Sequence, residues 1–150
     1  MDIIDYQILK CLKGNALENA TNIGARINLS TSAVIERIKK LESAGVIAGY
    51  TTIIDQAVLG RELTAFISIS LEHPKYNEGF LRQVDGHDAV AECYYIAGDF
   101  DFLLKVVTRS GKNLEQILNH IKSIPGVSRT RTSVVLSTSK CEVTLLPDKP

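Results

Sequence analysis

Residues 19–45 read NATNIGARINLSTSAVIERIKKLESAG, and this stretch decides the fold of the first third of the chain. Ser30 is a residue type that caps a helix N-terminus, and Gly45 stands where helices often end in the left-handed conformation. The apolar residues between them recur at helical spacing and share one face: Val34, Ile38 and Leu41. We therefore expect a helix that begins after Ser30 and ends just before Gly45.

Two shorter helices are predicted before it. The first spans residues 2–13, because Ile4, Ile8 and Leu12 recur every four residues. The second spans about Asn19 to Ile27, although Gly24 inside it costs about 1 kcal/mol against alanine. A turn of about three residues separates the second and third helices, and this arrangement is the helix-turn-helix plan.

The outward side of the third helix carries groups that can hydrogen-bond DNA in a major groove. They are hydroxyl and basic side chains: Ser30, Thr31, Ser32, Arg37, Lys39 and Lys40. An ordinary three-helix bundle with a polar surface would show the same pattern, so both interpretations stand here. Glu36 lies among these residues; it can accept from cytosine N4, but we expect it to pair with Lys40 at i+4.

From residue 46 onward the pattern changes to strands. Short apolar runs over residues 46–62 predict a wing-like strand and linker, and the apolar alternation from Leu63 to Leu71 predicts a half-buried strand. The following segments predict a helix, two strands, a helix and two more strands: Tyr76–Val84, Val90–Ala97, Phe102–Thr108, Ser110–Ile124, Ser128–Ser137 and Cys141–Leu146.

The order βαββαβ predicts an antiparallel ferredoxin-like sheet with both helices on one face and an extra C-terminal strand. The expected fold class is therefore α+β, with a winged helix-turn-helix at the N-terminus. We expect three regions along the chain: a helix-turn-helix domain over 1–45, a strand linker over 46–62, and an effector-binding and oligomerisation domain over 63–150.

The composition excludes several classes of protein. Lys and Arg total 17 and Asp and Glu total 17, so no whole-surface positive field can bind nucleic acid, although a local basic patch can. The three cysteines are scattered without metal-ligand spacing, and no hydrolase or P-loop motif is present. We expect no catalytic residues, no metal, no cofactor and no membrane partner, and a cytoplasmic location.

Three stretches form an ordered series: INLSTSAVIERIKKLESAGVIAGY at 27–50, VAECYYIAGDFDFLLKV at 90–106, and IPGVSRTRTSVVLS at 124–137. In order and separation they resemble the signature stretches of the Lrp/AsnC family, the leucine-responsive or feast/famine regulators. The resemblance runs from about Asp2 to Leu146. It implies a DNA-binding transcriptional regulator that forms dimers and commonly octameric rings, and that binds a small effector, usually an amino acid, between subunits.

By motif, the resemblance implies an effector loop of Gly98, Asp99, Phe100 and Asp101, faced by Thr130, Thr132 and Ser133. The chemistry agrees, since Gly98 admits a close backbone approach and either aspartate can accept from an ammonium group. A plain hairpin turn favours the same residues and remains the alternative. Arg129 and Arg131 alternate with the two threonines and are expected to form a solvated face.

We therefore predict a sequence-specific DNA-binding regulator. Its expected partners are double-stranded DNA, an amino-acid-like effector and further copies of the same chain. The alternative is an effector-sensing and oligomerisation module that has lost DNA binding, and Glu36 on the third helix favours that alternative because its charge would repel phosphate.

Overall fold

The computed structural model describes residues 1–150, which divide into two compact units. One unit comprises residues 1–53 and 140–150, and the other comprises residues 54–139. These limits differ from the predicted boundaries, which assigned the C-terminal residues to the second domain. The C-terminal segment instead joins the first unit, where the Lys13 ammonium binds the Glu142 carboxylate.

Three helices form the first unit, as predicted: α1 (Ile3–Gly14), α2 (Ala20–Ile27) and α3 (Thr31–Ser43). Each begins at a side-chain cap. The Asp2 carboxylate accepts from the Asp5 N–H at 2.8 Å, the Asn19 side chain caps α2, and the Ser30 hydroxyl caps α3. One buried residue from each of the first two helices and two from α3 form the core: Ile8, Ile23, Val34 and Leu41.

The turn between α2 and α3 explains the glycine inside α2. Asn28 adopts the left-handed conformation with φ 57°, and the Leu29 N–H donates to the Gly24 carbonyl at 2.9 Å. A Cβ on Gly24 would lie 2.5 Å from the Leu29 carbonyl oxygen, closer than van der Waals contact allows. The residue that weakens the helix by propensity is therefore the one that permits the tight turn.

Two predicted strands do not form. Residues 46–62 contain a turn at 56–60 but no strand, so the first unit has no wing, and residues 141–146 are also without regular structure. A strand requires a neighbouring strand to complete its hydrogen-bond ladder, and neither segment pairs within this chain. Both leave large apolar side chains exposed, among them Ile53 and Leu145.

The second unit has the predicted βαββαβ order. Its elements are β1 (Leu63–Leu71), α4 (Asn77–Asp85), β2 (Val90–Tyr95), β3 (Phe102–Thr108), α5 (Gly111–Ser123) and β4 (Val127–Val134), with a short 3₁₀ turn at Pro74–Tyr76. The sheet is antiparallel, with strand order β2-β3-β1-β4. β1 and β3 are therefore central, and β2 and β4 are edge strands.

Both helices pack on the same face of this sheet, as predicted. Alternate residues of β1 and β3 are buried against them: Ala65, Ile67, Ile69, Phe102, Leu104 and Val106. The opposite face carries no helix, and we call it the open face. In the β1–β4 register, Arg129 and Arg131 lie beside Ser70 and Ser68 on the open face, because side chains alternate along a strand.

Replacing Gly24 by alanine is expected to destabilise the protein by about 1–3 kcal/mol, because the added Cβ overpacks the turn. The matched control is Gly14→Ala at the end of α1, where an added Cβ meets no heavy atom within 4 Å. Urea unfolding of both variants and the wild type measures the effect. A Gly24→Ala protein as stable as Gly14→Ala would contradict the close approach.

Candidate DNA-binding and effector sites

The N-terminus of α3 presents three exposed hydroxyl groups. The Ser30 Oγ accepts from the Ala33 N–H at 3.2 Å and lies 3.2 Å from the Ser32 Oγ. The Thr31 Oγ1 donates to the Thr21 Oγ1 at 3.3 Å, which ties α3 to α2. A hydroxyl has one donor and two acceptor positions, so these groups keep capacity for an external partner.

The exposed side of α3 also carries two lysines without a counter-charge. Lys39 and Lys40 are exposed and neither forms an ion pair. The predicted pair between Glu36 and Lys40 is absent. Exposed pairs of this type contribute only a few tenths of a kcal/mol, and holding two long side chains in one geometry offsets that gain.

Arg37 is arranged differently from the two lysines. Its Nη1 lies 2.7 Å from both the Asp2 Oδ2 and the Asp5 Oδ1 at the start of α1. The hydrogen bonds that Arg37 donates, first to the Asp2 carboxylate and then to the Asp5 carboxylate, raise the pKa of Arg37. The backbone N–H of Asp5, followed by the Arg37 guanidinium, holds the pKa of Asp2 below its usual value. Two carboxylates therefore compensate this cation, and it braces α3 against α1.

The effector loop predicted at residues 98–101 joins β2 to β3, and hydrogen bonds to β1 hold it in place. Gly98 has φ 133°, a conformation that favours glycine. The Asp101 N–H donates to the Ile69 carbonyl at 2.9 Å, and the Asp101 carboxylate accepts from the Leu71 N–H at 2.8 Å. The Asp101 side chain is thus engaged in the fold, whereas the Asp99 carboxylate is exposed and makes no hydrogen bond or ion pair.

Two arginines lie at this loop. The Arg129 Nη2 donates to the Asp99 carbonyl at 2.7 Å, and its guanidinium carbon lies 4.5 Å from the centre of the Phe100 ring. The Arg131 guanidinium carbon lies 5.1 Å from the same ring centre. Phe100 itself is buried, with 8% of its surface exposed. The residues expected to form only a solvated face are therefore part of the loop's surroundings.

The predicted effector residues divide between the two faces of β4. Thr130 and Thr132 pair with Ile69 and Ile67 and so lie on the helix-covered face, whereas Ser133 lies on the open face with the two arginines. The signal that could have found the arginines is their spacing of two on a strand. This spacing alone could not place the arginines at the loop, because the register of β4 with β1 is a property of the tertiary structure.

Residues 1–42 match the AsnC-type helix-turn-helix domain, and residues 64–145 match the Lrp/AsnC ligand binding domain. The chain belongs to the Lrp/AsnC family. This Lrp/AsnC protein is 37% identical over 149 residues to the HTH-type transcriptional regulator FL11 of Pyrococcus horikoshii, covering 99% of this chain and 97% of that relative.

Solved structures of the family have the same fold. AsnC of Escherichia coli superposes with a TM-score of 0.90 at 29% identity, over 98% of this chain and 99% of that one. A transcriptional regulator of Neisseria meningitidis in complex with L-Met superposes with a TM-score of 0.92 at 27% identity, over 97% and 96%.

The family and its members identify this Lrp/AsnC chain as a helix-turn-helix transcriptional regulator and not an enzyme. That finding decides between the two interpretations of the three N-terminal helices. They form a helix-turn-helix domain and not an unrelated bundle. None of its helices has the length and apolar character required to cross a membrane.

Asp101→Ala is expected to lower the free energy of unfolding by about 1–3 kcal/mol, because the half-buried Leu71 N–H loses its acceptor. Asp101→Asn keeps an oxygen at that place and should retain most of the stability. Asp99→Ala is the matched control, since the Asp99 side chain is exposed and makes no hydrogen bond or ion pair. Urea unfolding measures all three, and equal losses for Asp99→Ala and Asp101→Ala would contradict the bracing role of Asp101.

Proposed function

We propose that this Lrp/AsnC protein controls transcription as a symmetric oligomer that reads double-stranded DNA with α3 and responds to an amino acid bound at residues 98–101. The observation that carries the first part is the exposed surface of α3, which has hydroxyl groups at its N-terminus and two lysines without counter-charges toward its C-terminal end. A dimer would place two such helices in successive major grooves about 34 Å apart and read a roughly palindromic site. The relatives of this chain come from archaea and bacteria, whose DNA lies in the cytoplasm, and we propose the same location for this regulator.

The charge distribution supports a modest affinity per subunit. Arg37 is compensated by Asp2 and Asp5, so α3 offers phosphate mainly the charges of Lys39 and Lys40. Phosphate contacts dominate nonspecific affinity, and two subunits linked in one assembly bind far more tightly than either alone. The proposed DNA-contacting set remains Ser30, Thr31, Ser32, Arg37, Lys39 and Lys40, with Arg37 acting through the orientation of α3.

The effector part is supported by the loop and by two relatives solved with an amino acid. The N. meningitidis regulator and a feast or famine regulatory protein of Mycobacterium tuberculosis are complexes with L-methionine. In this chain the unpaired Asp99 carboxylate can accept from an ammonium group, and Gly98 admits a close approach to the backbone. Phe100 and Asp101 then hold the loop in shape rather than contact the effector through free polar groups.

The proposed assembly of subunits is supported by the strand edge and the apolar side chains that a single chain leaves exposed. The outer edge of β4 has no partner strand within the chain, so a second subunit can approach Thr130, Thr132 and Ser133 there. Large apolar side chains are also exposed on the two segments that form no strand; Ile53 and Val143 expose 76% and 67% of their surface. Burial of such residues favours association, and we propose dimers that assemble further into an octameric ring.

The double variant Lys39→Gln/Lys40→Gln is expected to weaken binding to every DNA sequence. The slope of log affinity against log salt should fall by about one for each lost phosphate contact. Gel-shift titrations on the protein's own upstream DNA at several salt concentrations measure both quantities. An unchanged affinity and slope would remove the two lysines from the interface, whereas a wild type that binds no DNA would favour the alternative of a module without DNA binding.

Arg37→Gln serves as the contrasting variant in the same titrations. Because its charge is already compensated, its removal should change the salt slope less than the removal of either lysine. A loss of slope equal to half of that of the double lysine variant would show that Arg37 leaves Asp2 and Asp5 to contact phosphate.

Asp99→Asn is expected to weaken amino-acid binding, because the ammonium group loses an anionic acceptor, and Asp101→Asn is expected to change it less. Isothermal titration of the wild type and both variants with each of the twenty amino acids measures this. Equal affinities of the wild type and Asp99→Asn for the amino acid that binds would remove Asp99 from the site.

A further inference from the structure

The C-terminal end of α3 is fastened to the residues that follow it. Gly45 turns the chain in the left-handed conformation, with φ 72°. The N–H groups of Val46 and Ile47 both donate to the Leu41 carbonyl, at 2.9 Å and 3.2 Å. The side chain of Ile47 is half-buried and packs against the core of the first unit. The three helices and the first residues after α3 therefore form one packed body.

Tyr50 extends this attachment by a side-chain hydrogen bond. Its hydroxyl donates to the Glu42 Oε1 at 2.9 Å, and Glu42 lies in the last turn of α3. Partial burial of the phenol, followed by the Glu42 carboxylate, raises the pKa of Tyr50. The hydroxyl is therefore protonated at neutral pH, as a donor must be. The chain is thus held to α3 for seven residues beyond the end of the helix at Ser43.

The attachment ends at Tyr50. The next three residues, Thr51, Thr52 and Ile53, are exposed and make no hydrogen bond within the chain. A segment without buried side chains or hydrogen bonds has little local stability. The point at which the chain becomes free to bend is therefore set by the Tyr50 hydroxyl and not by the end of α3.

The geometry of a DNA site with two halves gives this hydrogen bond a role. Two recognition helices that read such a site stand about 34 Å apart. Without the bond between Tyr50 and Glu42, the free segment would begin three residues earlier, after Ile47, and each helix would sample more positions. The effective concentration of the second helix at its half-site falls when the connection gains freedom, although the contacts of α3 with each half-site stay the same.

We propose that Tyr50 is a positioning residue for DNA recognition: its hydrogen bond to Glu42 fixes the chain to α3 and so restricts the half-site spacing that the assembled protein binds. The inference rests on the proposed function, because it takes α3 as the recognition helix of a symmetric oligomer. It adds a property of the DNA partner, a strict distance between the two half-sites. Tyr50 acts through α3 and needs no contact with DNA.

The test is a gel-shift titration of the full-length protein on a site mapped in its own upstream DNA. Three kinds of duplex are compared: the intact site, a single half-site, and sites whose halves are moved apart by about a quarter of a helical turn. Tyr50→Phe removes only the hydroxyl. It should bind the intact site about 3- to 10-fold more weakly than the wild type, discriminate less between spacings, and bind the single half-site as the wild type does.

Two variants of Glu42 separate the hydrogen bond from the charge. Glu42→Gln and Glu42→Ala lose the same negative charge, but only glutamine keeps an oxygen that can accept from Tyr50. Glu42→Gln should therefore keep the spacing preference, and Glu42→Ala should lose it as Tyr50→Phe does. Tyr94→Phe is the matched control. The Tyr94 hydroxyl donates to the Glu92 Oε2 at 2.8 Å and the residue is 49% exposed, against 52% for Tyr50, but it lies on β2. This variant should bind every duplex as the wild type does.

Amide hydrogen exchange of the free protein tests the attachment without DNA. The N–H groups of Val46 and Ile47 should exchange faster in Tyr50→Phe than in the wild type or in Tyr94→Phe, because the segment that holds them opens more often. Unchanged exchange would show that the attachment does not depend on the hydroxyl, and would overturn the inference.

The binding outcomes separate this inference from the function on which it rests. If the wild type binds no DNA, or binds the intact site no more tightly than a single half-site, the proposed function fails and the role of Tyr50 fails with it. If the wild type prefers one spacing and Tyr50→Phe keeps that preference, only the role of Tyr50 is overturned. An equal loss of affinity on the single half-site would show that the hydroxyl supports α3 itself, and would also overturn the positioning role.

Discussion

The register of the central strand β1 is the constraint on which the shape of the proposed effector loop, residues 98–101, depends. β1 pairs with β3 on one side and β4 on the other, and burial of its alternate residues against the helices fixes that register, because a slip of one residue would turn the apolar side chains outward. Its C-terminal end then holds the loop, through the Ile69 carbonyl and the Leu71 N–H that bind Asp101. The same register places Arg129 beside Ser70 and so beside the loop.

The formal net charge of the chain is zero, yet its positively charged side chains lie in two different environments. Arg37 is compensated by two carboxylates of α1, and it contributes to the orientation of the recognition helix rather than to its charge. Lys40 and Arg131, by contrast, have no anionic partner in the chain. For Lys40, the proposed partner is the phosphate backbone of DNA.

A single chain leaves two strand-like segments and the outer edge of β4 without a partner strand. Residues 46–62 and 141–146 have strand-like apolar patterns, yet they form no strand because a ladder needs a partner that this chain does not supply. Their exposed apolar side chains and the free edge of β4 are the features through which we propose that copies assemble. The sequence pattern correctly showed that these segments are apolar. The strands predicted from it do not form within one chain.

The sequence by itself determined the helices, the Ser30 cap of α3, the βαββαβ order and the family, because caps and periodicity act over a few residues along the chain. The motif also predicted residues 98–101 as the effector loop, and that assignment stays a prediction. Tertiary structure alone decided which aspartate is free, since Asp101 is bound by a backbone group 30 residues away. It likewise decided that Arg37 is compensated, and that Gly24 accommodates a carbonyl group. Such contacts depend on packing between distant segments, and the spacing of residues along a chain does not specify them.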